Sequence, residues 1–463
     1  MYKVDFKNTD NINEYLELIK VFLSPEDFEI SDQNPSKVFD LSEFKAFESD
    51  TIKKEDSDKN RLKRYLYKEL SEVTGIIPSW GILTGIRPEK LFRELVLREN
   101  STEKAGDIMS KKYLVQPDRI KLLNEIYEIQ KPFCKDSSQK NKVGIYIGIP
   151  FCPTRCLYCS FTSNQVDYSK VLPYIGALKK EIEYVGKRMK ENSLIAESIY
   201  IGGGTPTTLK PDEMKALLNA IKAFIPTDKG FEYTCEAGRP DTFSSEILEI
   251  LRLFGINRIS INPQTMKDDT LKLIDRSHTS KDTFKAYETA RDFGFDVINM
   301  DLIMGLPGEN ISDFENSLNI VSDLKPENIT VHSLAVKRSS KLKETDPKFN
   351  YKVSELTCGM LDLSRKILTE KGYSPYYLYR QKQISGNLEN TGYCLSGFES
   401  CYNIKIMEEN QTVLALGAGG ISKIYYSEEN RLERIANVSN YEIYIERIND
   451  MINRKEKGFF KLI

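Results

Sequence analysis

The chain lacks any run of 18 or more apolar residues, which leaves no segment able to cross a bilayer as a helix. Its first residues, Met1-Tyr-Lys-Val-Asp-Phe-Lys-Asn-Thr-Asp10, alternate in charge where a secretory signal needs an apolar stretch. A cytoplasmic location with no membrane partner is expected. An excess of positive charge is also missing: Lys+Arg 66 against Asp+Glu 68 gives a net charge of -2, so no global field would hold a phosphate backbone. Nucleic acid is excluded as the expected partner. Eight cysteines in 463 residues are too sparse for a disulfide scaffold, and a reducing compartment keeps them free for metal or catalysis. What is present is ordinary enzyme material, 40% hydrophobic and 29% charged, which rules out disordered and collagen-like chains. At roughly 150 residues per domain the length suggests two or three domains. A monomer is expected.

Three regions follow from the patterning. Residues 1–142 read as an N-terminal α+β domain with weak signals: a strand-like start at Tyr2 to Phe6, an apolar-periodic stretch at Tyr15 to Phe22, and the charged run Lys53 to Arg64 leading into a helix toward Val73. Within it, Gly81-Ile-Leu-Thr-Gly-Ile-Arg-Pro-Glu-Lys90 has the composition of a shaped loop, and the polar stretch Lys135 to Lys142 marks a boundary. Residues 143–371 alternate short β-branched runs with longer amphipathic stretches, the signature of repeated βα units. Six parallel strands are predicted, at Gly144 to Ile149, Ser198 to Ile201, Phe231 to Glu236, Arg258 to Asn262, Val297 to Ile303 and Ile329 to Ser333. Helices such as Tyr168 to Lys190, Pro211 to Phe224 and Val353 to Lys371 accompany them. Residues 372–463 read as a smaller α+β segment packed on the barrel, with a helix at Tyr441 to Lys455. Ligand sites of such α/β sheets gather at the carboxyl ends of the strands, so the residues just after each strand carry the functional reading.

Directly after the first of these strands stands Cys152-Pro-Thr-Arg-Cys156-Leu-Tyr-Cys159. A 4Fe-4S cube held by four protein cysteines is a closed electron carrier, whereas three cysteines leave one iron open to a substrate. Structural zinc would need a fourth Cys or His nearby, and neither His278 nor His332 is close in sequence. Buried thiols, or a zinc site completed from afar, are the plain alternatives.

This C-x3-C-x2-C loop resembles that of the radical S-adenosylmethionine enzymes. Ile149-Pro-Phe-Cys152, Gly202-Gly-Gly-Thr-Pro-Thr207 and Met300-Asp-Leu-Ile-Met-Gly-Leu-Pro307 resemble the oxygen-independent coproporphyrinogen III dehydrogenase (HemN-like) family. The N-terminal extension, Tyr379-Arg-Gln-Lys382 and Gly386-Asn-Leu-Glu-Asn-Thr-Gly-Tyr393 resemble its HemZ branch. The resemblance implies an α/β fold with a partial (β/α)6 radical SAM barrel, a 4Fe-4S cluster on Cys152, Cys156 and Cys159, and bound S-adenosyl-L-methionine. It also implies the family's oxidoreductase activity, in which coproporphyrinogen III propionates are decarboxylated to vinyl groups on the way to haem, with flavodoxin or ferredoxin as one-electron donor. Relatives in the same group are haem-binding chaperones or act on haem itself, and that alternative stays open.

By the same resemblance, Gly203, Gly204 and Thr205 contact the methionine part of S-adenosylmethionine, and Tyr146 and Tyr158 line the space beside the cluster, Tyr146 counting with the cysteines as catalytic. Glu236, Gln264, Arg276 and Asp301 are matched to nucleotide or methionine contacts. Their chemistry suits this: a carboxylate accepts from an ammonium or ribose hydroxyls, an amide bridges, and a guanidinium clamps a carboxylate. Each alone is as readily a cap or barrel filler. Two departures stand out, Gly148 where the well-known branch has a histidine and Phe161 where it has a cysteine. Neither removes a cluster ligand, and both bear on the substrate.

Of the remaining residues, His278 reads as a surface or outer group, and His332, on the sixth strand, points either into the lumen or under a helix. Cys134, Cys235, Cys358, Cys394 and Cys401 read as buried thiols. A substrate with four carboxylates needs cations. Candidates are Arg87, Lys90, Lys337, Arg338, Arg380 and Lys382, each equally well a solvated charge.

Overall fold

A computed structural model describes residues 2–7, 12–25, 27–30, 37–40, 58–85, 87–135, 141–159, 164–242, 244–336, 340–346, 348–381 and 387–462. Near the N-terminus, β1 (Tyr2–Lys7), β2 (Phe28–Ile30) and β3 (Lys37–Asp40) form a small parallel sheet in the order β2-β1-β3. The helix Ile12–Phe22 buries Tyr15, Leu18, Ile19 and Phe22, a three-and-four spacing that places all four on one face. That face packs on Leu62, Leu66 and Leu70 of the helix Asp58–Thr74. Three further helices, Pro88–Glu99, Thr102–Tyr113 and Pro117–Lys135, make this region more helical than its weak sequence signals suggest.

The central sheet begins with β4 (Lys142–Ile149); β5 (Phe151–Cys152) and β6 (Asn164–Gln165) come next in the chain and form a separate short parallel pair. It continues through β7 (Ile195–Gly203), β8 (Thr227–Glu236), β9 (Arg258–Ser260), β10 (Val297–Met304) and β11 (Asn328–Ser333). The strands β4, β7, β8, β9, β10 and β11 lie side by side in that order, every neighbouring pair parallel. Helices cross over between them, among them Tyr168–Glu191, Pro211–Phe224, Ser245–Leu253 and Ser280–Asp292. The sheet stays open, so the fold is an α/β partial (β/α)6 barrel.

Local chemistry sets these boundaries. In β4 every residue from Val143 to Ile149 except Tyr146 is buried, as a strand covered on both faces requires. Thr279 and Asp282 at one helix start, and Asn310 and Asp313 at another, cap one another reciprocally and satisfy N–H groups that the first turn leaves orphaned. Among the described residues no helix is long and apolar enough to cross a membrane.

The segment from residue 372 onward joins both edges of this sheet. After β11 come β13 (Glu389–Cys394) and β12 (Ser374–Arg380), antiparallel, while β14 (Val413–Leu416) runs parallel beside β4. Antiparallel β15 (Ile421–Tyr426) and β16 (Arg431–Ala436) complete the eleven strands. The helix expected over Tyr441 to Lys455 breaks at Arg447 (φ -112, ψ 31) into Tyr441–Glu446 and Ile448–Lys455. The second piece is anchored by a fully buried pair, Lys455 Nζ to Glu181 Oε1 at 2.6 Å, with Tyr444 and Asn437 satisfying the remaining carboxylate lone pairs. Breaking a pair of this kind leaves an uncompensated buried charge, which fixes how the C-terminal helices sit on Tyr168–Glu191.

Candidate active site

The three cysteines follow the carboxyl end of β4. Cys156 is buried and Cys152 and Cys159 are half-buried. The loop is pinned at several points: Cys159 N–H donates to the Cys156 carbonyl (3.1 Å), Leu157 N–H to Ile274 (3.1 Å) and Val166 N–H to Cys152 (2.9 Å). Two sulfurs accept side-chain bonds, Cys152 Sγ from Thr205 Oγ1 at 3.5 Å and Cys156 Sγ from Arg239 Nη1 at 3.7 Å. Among the described residues no three His, Cys, Asp or Glu groups gather round a point that could hold one metal ion. A cube attaches each thiolate to a different iron, and three thiols on one loop are the soft donor set that such a cluster takes.

Facing this loop is the turn after β7. Gly204 N–H donates to the Ile149 carbonyl and Thr205 N–H to that of Phe151, both at 2.7 Å, so the glycine turn and the cysteine loop are stitched together. Gly203 adopts φ 113, a region that side chains avoid. At Gly204 a Cβ would lie 2.4 Å from the Phe151 carbonyl oxygen and 3.0 Å from Cys152 Sγ. Gly204→Ala is therefore expected to displace Cys152 and cut reconstituted iron content severalfold while circular dichroism stays close to wild type; full iron loading would contradict the tight fit.

Glu236 ends β8 beneath this turn. It accepts from Tyr200 OH at 2.6 Å and from Gly203 N–H at 3.2 Å. Burial pushes its carboxyl up to about 7, the nearby Asp301 adding to the rise while the Tyr200 and Gly203 bonds oppose it. Tyr146 on β4 stacks on Tyr200 at 6.3 Å, and Tyr200 in turn on Tyr402 at 4.7 Å, so a pile of phenols lies under the acid. Burial raises the phenol pKa values of Tyr146 and Tyr200.

The other residues of interest converge on the same end of the barrel. Gln264 holds φ 69, its N–H bonded to the Asp301 carbonyl (2.9 Å), and its side-chain oxygen is buried without a partner among the described residues. Asn262 Oδ1 and Arg276 Nε share that condition. Arg276 otherwise donates to Tyr158 OH (3.2 Å) and to the carbonyls of Gly238 (3.2 Å) and Asn262 (3.4 Å). Polar atoms left unsatisfied at this end of the barrel are what a polar ligand would satisfy. Asp301 receives Asn299 Nδ2 at 2.7 Å and lies 3.5 Å from His332 Nε2. Burial would raise its carboxyl, yet His332 and these hydrogen bonds hold it below the usual range.

His332 thus faces the lumen, its other ring nitrogen 3.3 Å from Tyr379 OH. His278 is not a surface group: it is 2% exposed, 4.0 Å from Asp241, and burial with the Arg276 charge pushes it down to about 4. Of the five other cysteines, only Cys235 and Cys394 are fully buried. The cation candidates also resolve. Arg87 and Lys90 sit on Glu409, at 2.8 and 3.6 Å, just before β14 and so at the far end of β4 from the cysteines. Arg380 is 3% exposed, lies over the Trp80 ring and donates to the Leu83 and Gly85 carbonyls. These three cations are committed to the protein itself. Lys337, Arg338, Lys382 and Phe161 fall outside the described residues.

Sequence reasoning missed Tyr200 and Arg239. Tyr200 was legible in principle: it alternates with Ser198 and Gly202 on β7, in register with Tyr146. Arg239 lies three residues past Glu236 and carries no pattern of its own.

Comparison with known proteins adds to this geometry. The Radical SAM superfamily model matches residues 146–321. Over 398 residues the chain is 42% identical to the oxygen-independent coproporphyrinogen-III oxidase-like protein HemZ of Bacillus subtilis (strain 168), covering 85% of this chain and 79% of that protein. It is 32% identical over 318 residues to the heme chaperone HemW of the same organism, covering 68% of this chain and 76% of that protein. Among solved structures, the coproporphyrinogen III oxidase HemN of Escherichia coli, a radical SAM enzyme, aligns with TM-score 0.56 at 20% identity over 70% of this chain and 73% of that one. At that identity the likeness speaks for the fold.

Proposed function

The chain belongs to the radical SAM enzymes, in their oxygen-independent coproporphyrinogen III oxidase-like group, and on that premise we propose that it converts coproporphyrinogen III to protoporphyrinogen IX. The observation that carries this reading is the stitched pair of loops, three cysteines on one side and a glycine turn over a buried glutamate on the other. Cys152, Cys156 and Cys159 would hold a 4Fe-4S cluster with one iron open. Bound there, cluster and S-adenosylmethionine supply one-electron cleavage and hydrogen-atom abstraction. The protein's residues bind and orient. Gly203, Gly204 and Thr205 let the backbone come close to the methionine part; Glu236, ionised above pH about 7, accepts from its ammonium. The orphaned Gln264 Oε1 and Arg276 Nε, together with Asp301, serve its carboxylate and ribose. Tyr146 and Tyr158 flank the cluster, and the Tyr200–Tyr402 stack closes the floor against water.

In the proposed reaction each of two propionates loses a hydrogen atom, carbon dioxide and one electron to leave a vinyl group. The cluster, once held by the three cysteines, would take its electron from a one-electron donor such as flavodoxin or ferredoxin. A heme-chaperone reading is favoured by the 32% identity to HemW. Anaerobically reconstituted, reduced protein with S-adenosylmethionine, with and without coproporphyrinogen III, decides between them by mass spectrometry. Substrate-dependent 5'-deoxyadenosine together with decarboxylated product is expected. 5'-Deoxyadenosine without decarboxylation points to another tetrapyrrole, and tight haem binding with neither product points to a chaperone.

A further inference from the structure

Arg239 has no place among the ligand contacts above, yet it is 3% exposed and reaches the most buried of the three cysteines. Its guanidinium is forked on Asp241 by two parallel bonds, Nε to Oδ1 and Nη2 to Oδ2, both 2.9 Å. The fork fixes the plane of the group. The remaining edge, Nη1, then points at the cysteine loop, donating to Thr154 Oγ1 at 3.0 Å and to Cys156 Sγ at 3.7 Å. Thr154 is itself tied to the Asp275 carbonyl (3.2 Å), so donor and acceptor are both held from outside the cluster.

A cation and hydrogen-bond donor beside a cluster sulfur favours whichever redox state carries more negative charge, which is the reduced one. At a buried position water screens the interaction little. A lysine could not reproduce it, because one ammonium cannot fork on Asp241 and present a fixed edge to Sγ at once. We propose that Arg239, oriented by Asp241, is a positioning residue that raises the reduction potential of the cluster through Cys156 Sγ, bringing it within reach of a one-electron protein donor. The inference rests on the radical SAM reading and adds a residue to that same site.

The test uses the full chain reconstituted anaerobically, as wild type, Arg239→Leu, Arg239→Gln and Asp241→Asn, with iron and sulfide counted and the one-electron midpoint potential read by spin-resonance titration. Arg239→Leu is expected to keep its iron and shift to lower potential, so that at a fixed poise the reduced-to-oxidised ratio falls roughly tenfold, equivalent to about 59 mV. Arg239→Gln and Asp241→Asn should shift the same way by less. Unchanged potentials in iron-loaded Arg239→Leu and Arg239→Gln overturn the proposal, as does loss of the cluster from both. If wild type itself takes up no cluster, the radical SAM reading fails instead, so the two failures are told apart.

Discussion

Cys156→Ala is expected to abolish the broad visible absorbance of the reconstituted protein and, with it, all substrate-dependent 5'-deoxyadenosine. Cys156 is the buried member of the triad and the one whose sulfur accepts from a buried guanidinium. Among the described residues alanine leaves Arg239 Nη1 with Thr154 alone to bond, and it would leave the proposed cube with two protein ligands. Two thiolates on a loop do not make up for the third. The fold should survive, since the loop is held by the Leu157 and Val166 backbone bonds and by the stitching at Gly204 and Thr205, none of which uses the sulfur. Near-wild-type far-ultraviolet circular dichroism with colourless protein is the expected pair of results; a full cluster in the variant would remove Cys156 from the ligand set.

The second large effect belongs to Glu236. A carboxyl raised to about 7 by burial keeps a proton in the folded protein that the unfolded chain gives up in the ordinary glutamate range. Stability therefore falls as pH rises from that range to about 7, because there the native state binds more protons than the unfolded one. Glu236→Gln has no such loss. Its melting temperature should gain on wild type between pH 5 and pH 8. Ligand binding moves the opposite way: wild-type affinity for S-adenosylmethionine should weaken by up to about tenfold per unit below pH 7, as the acceptor is neutralised. Glu236→Gln should bind on the order of tenfold to a hundredfold more weakly at pH 8, the worth of a charge-assisted hydrogen bond, with a flat pH profile between 6 and 7.5. Equal affinities at pH 8 would show that the carboxylate does not touch the ligand.

The sequence made the repeated βα order legible because strand and helix periods differ, and both are local. Pro211–Phe224 was readable to the residue, since Pro at the first turn and the end of the apolar stripe are sequence signals. The cysteine spacing was legible for the same reason, all three cysteines lying within eight consecutive residues. Pairing is not local. That β14 lies parallel to β4, more than 260 residues earlier, and that β12 and β13 extend the opposite edge, could not be read from periodicity, which tells a strand from a helix and says nothing of its neighbour. The break at Arg447 was hidden too, because the apolar spacing continues on both sides of it.

What the sequence by itself determined is therefore the part carried by short-range pattern: the order of the strands, the C-x3-C-x2-C loop after the first of them, and the glycine turn after the second. Tertiary structure alone decided which charges serve the site. Arg87, Lys90 and Arg380, plausible on composition, spend their charge on Glu409 and on loop carbonyls, because long cations bury only against partners that the fold happens to supply. Arg239, with no pattern to mark it, was brought to Cys156 by the turn after β8 and aimed there by Asp241. A side chain's partner across the fold depends on where the backbone of another strand ends, and residue type and spacing do not encode that position.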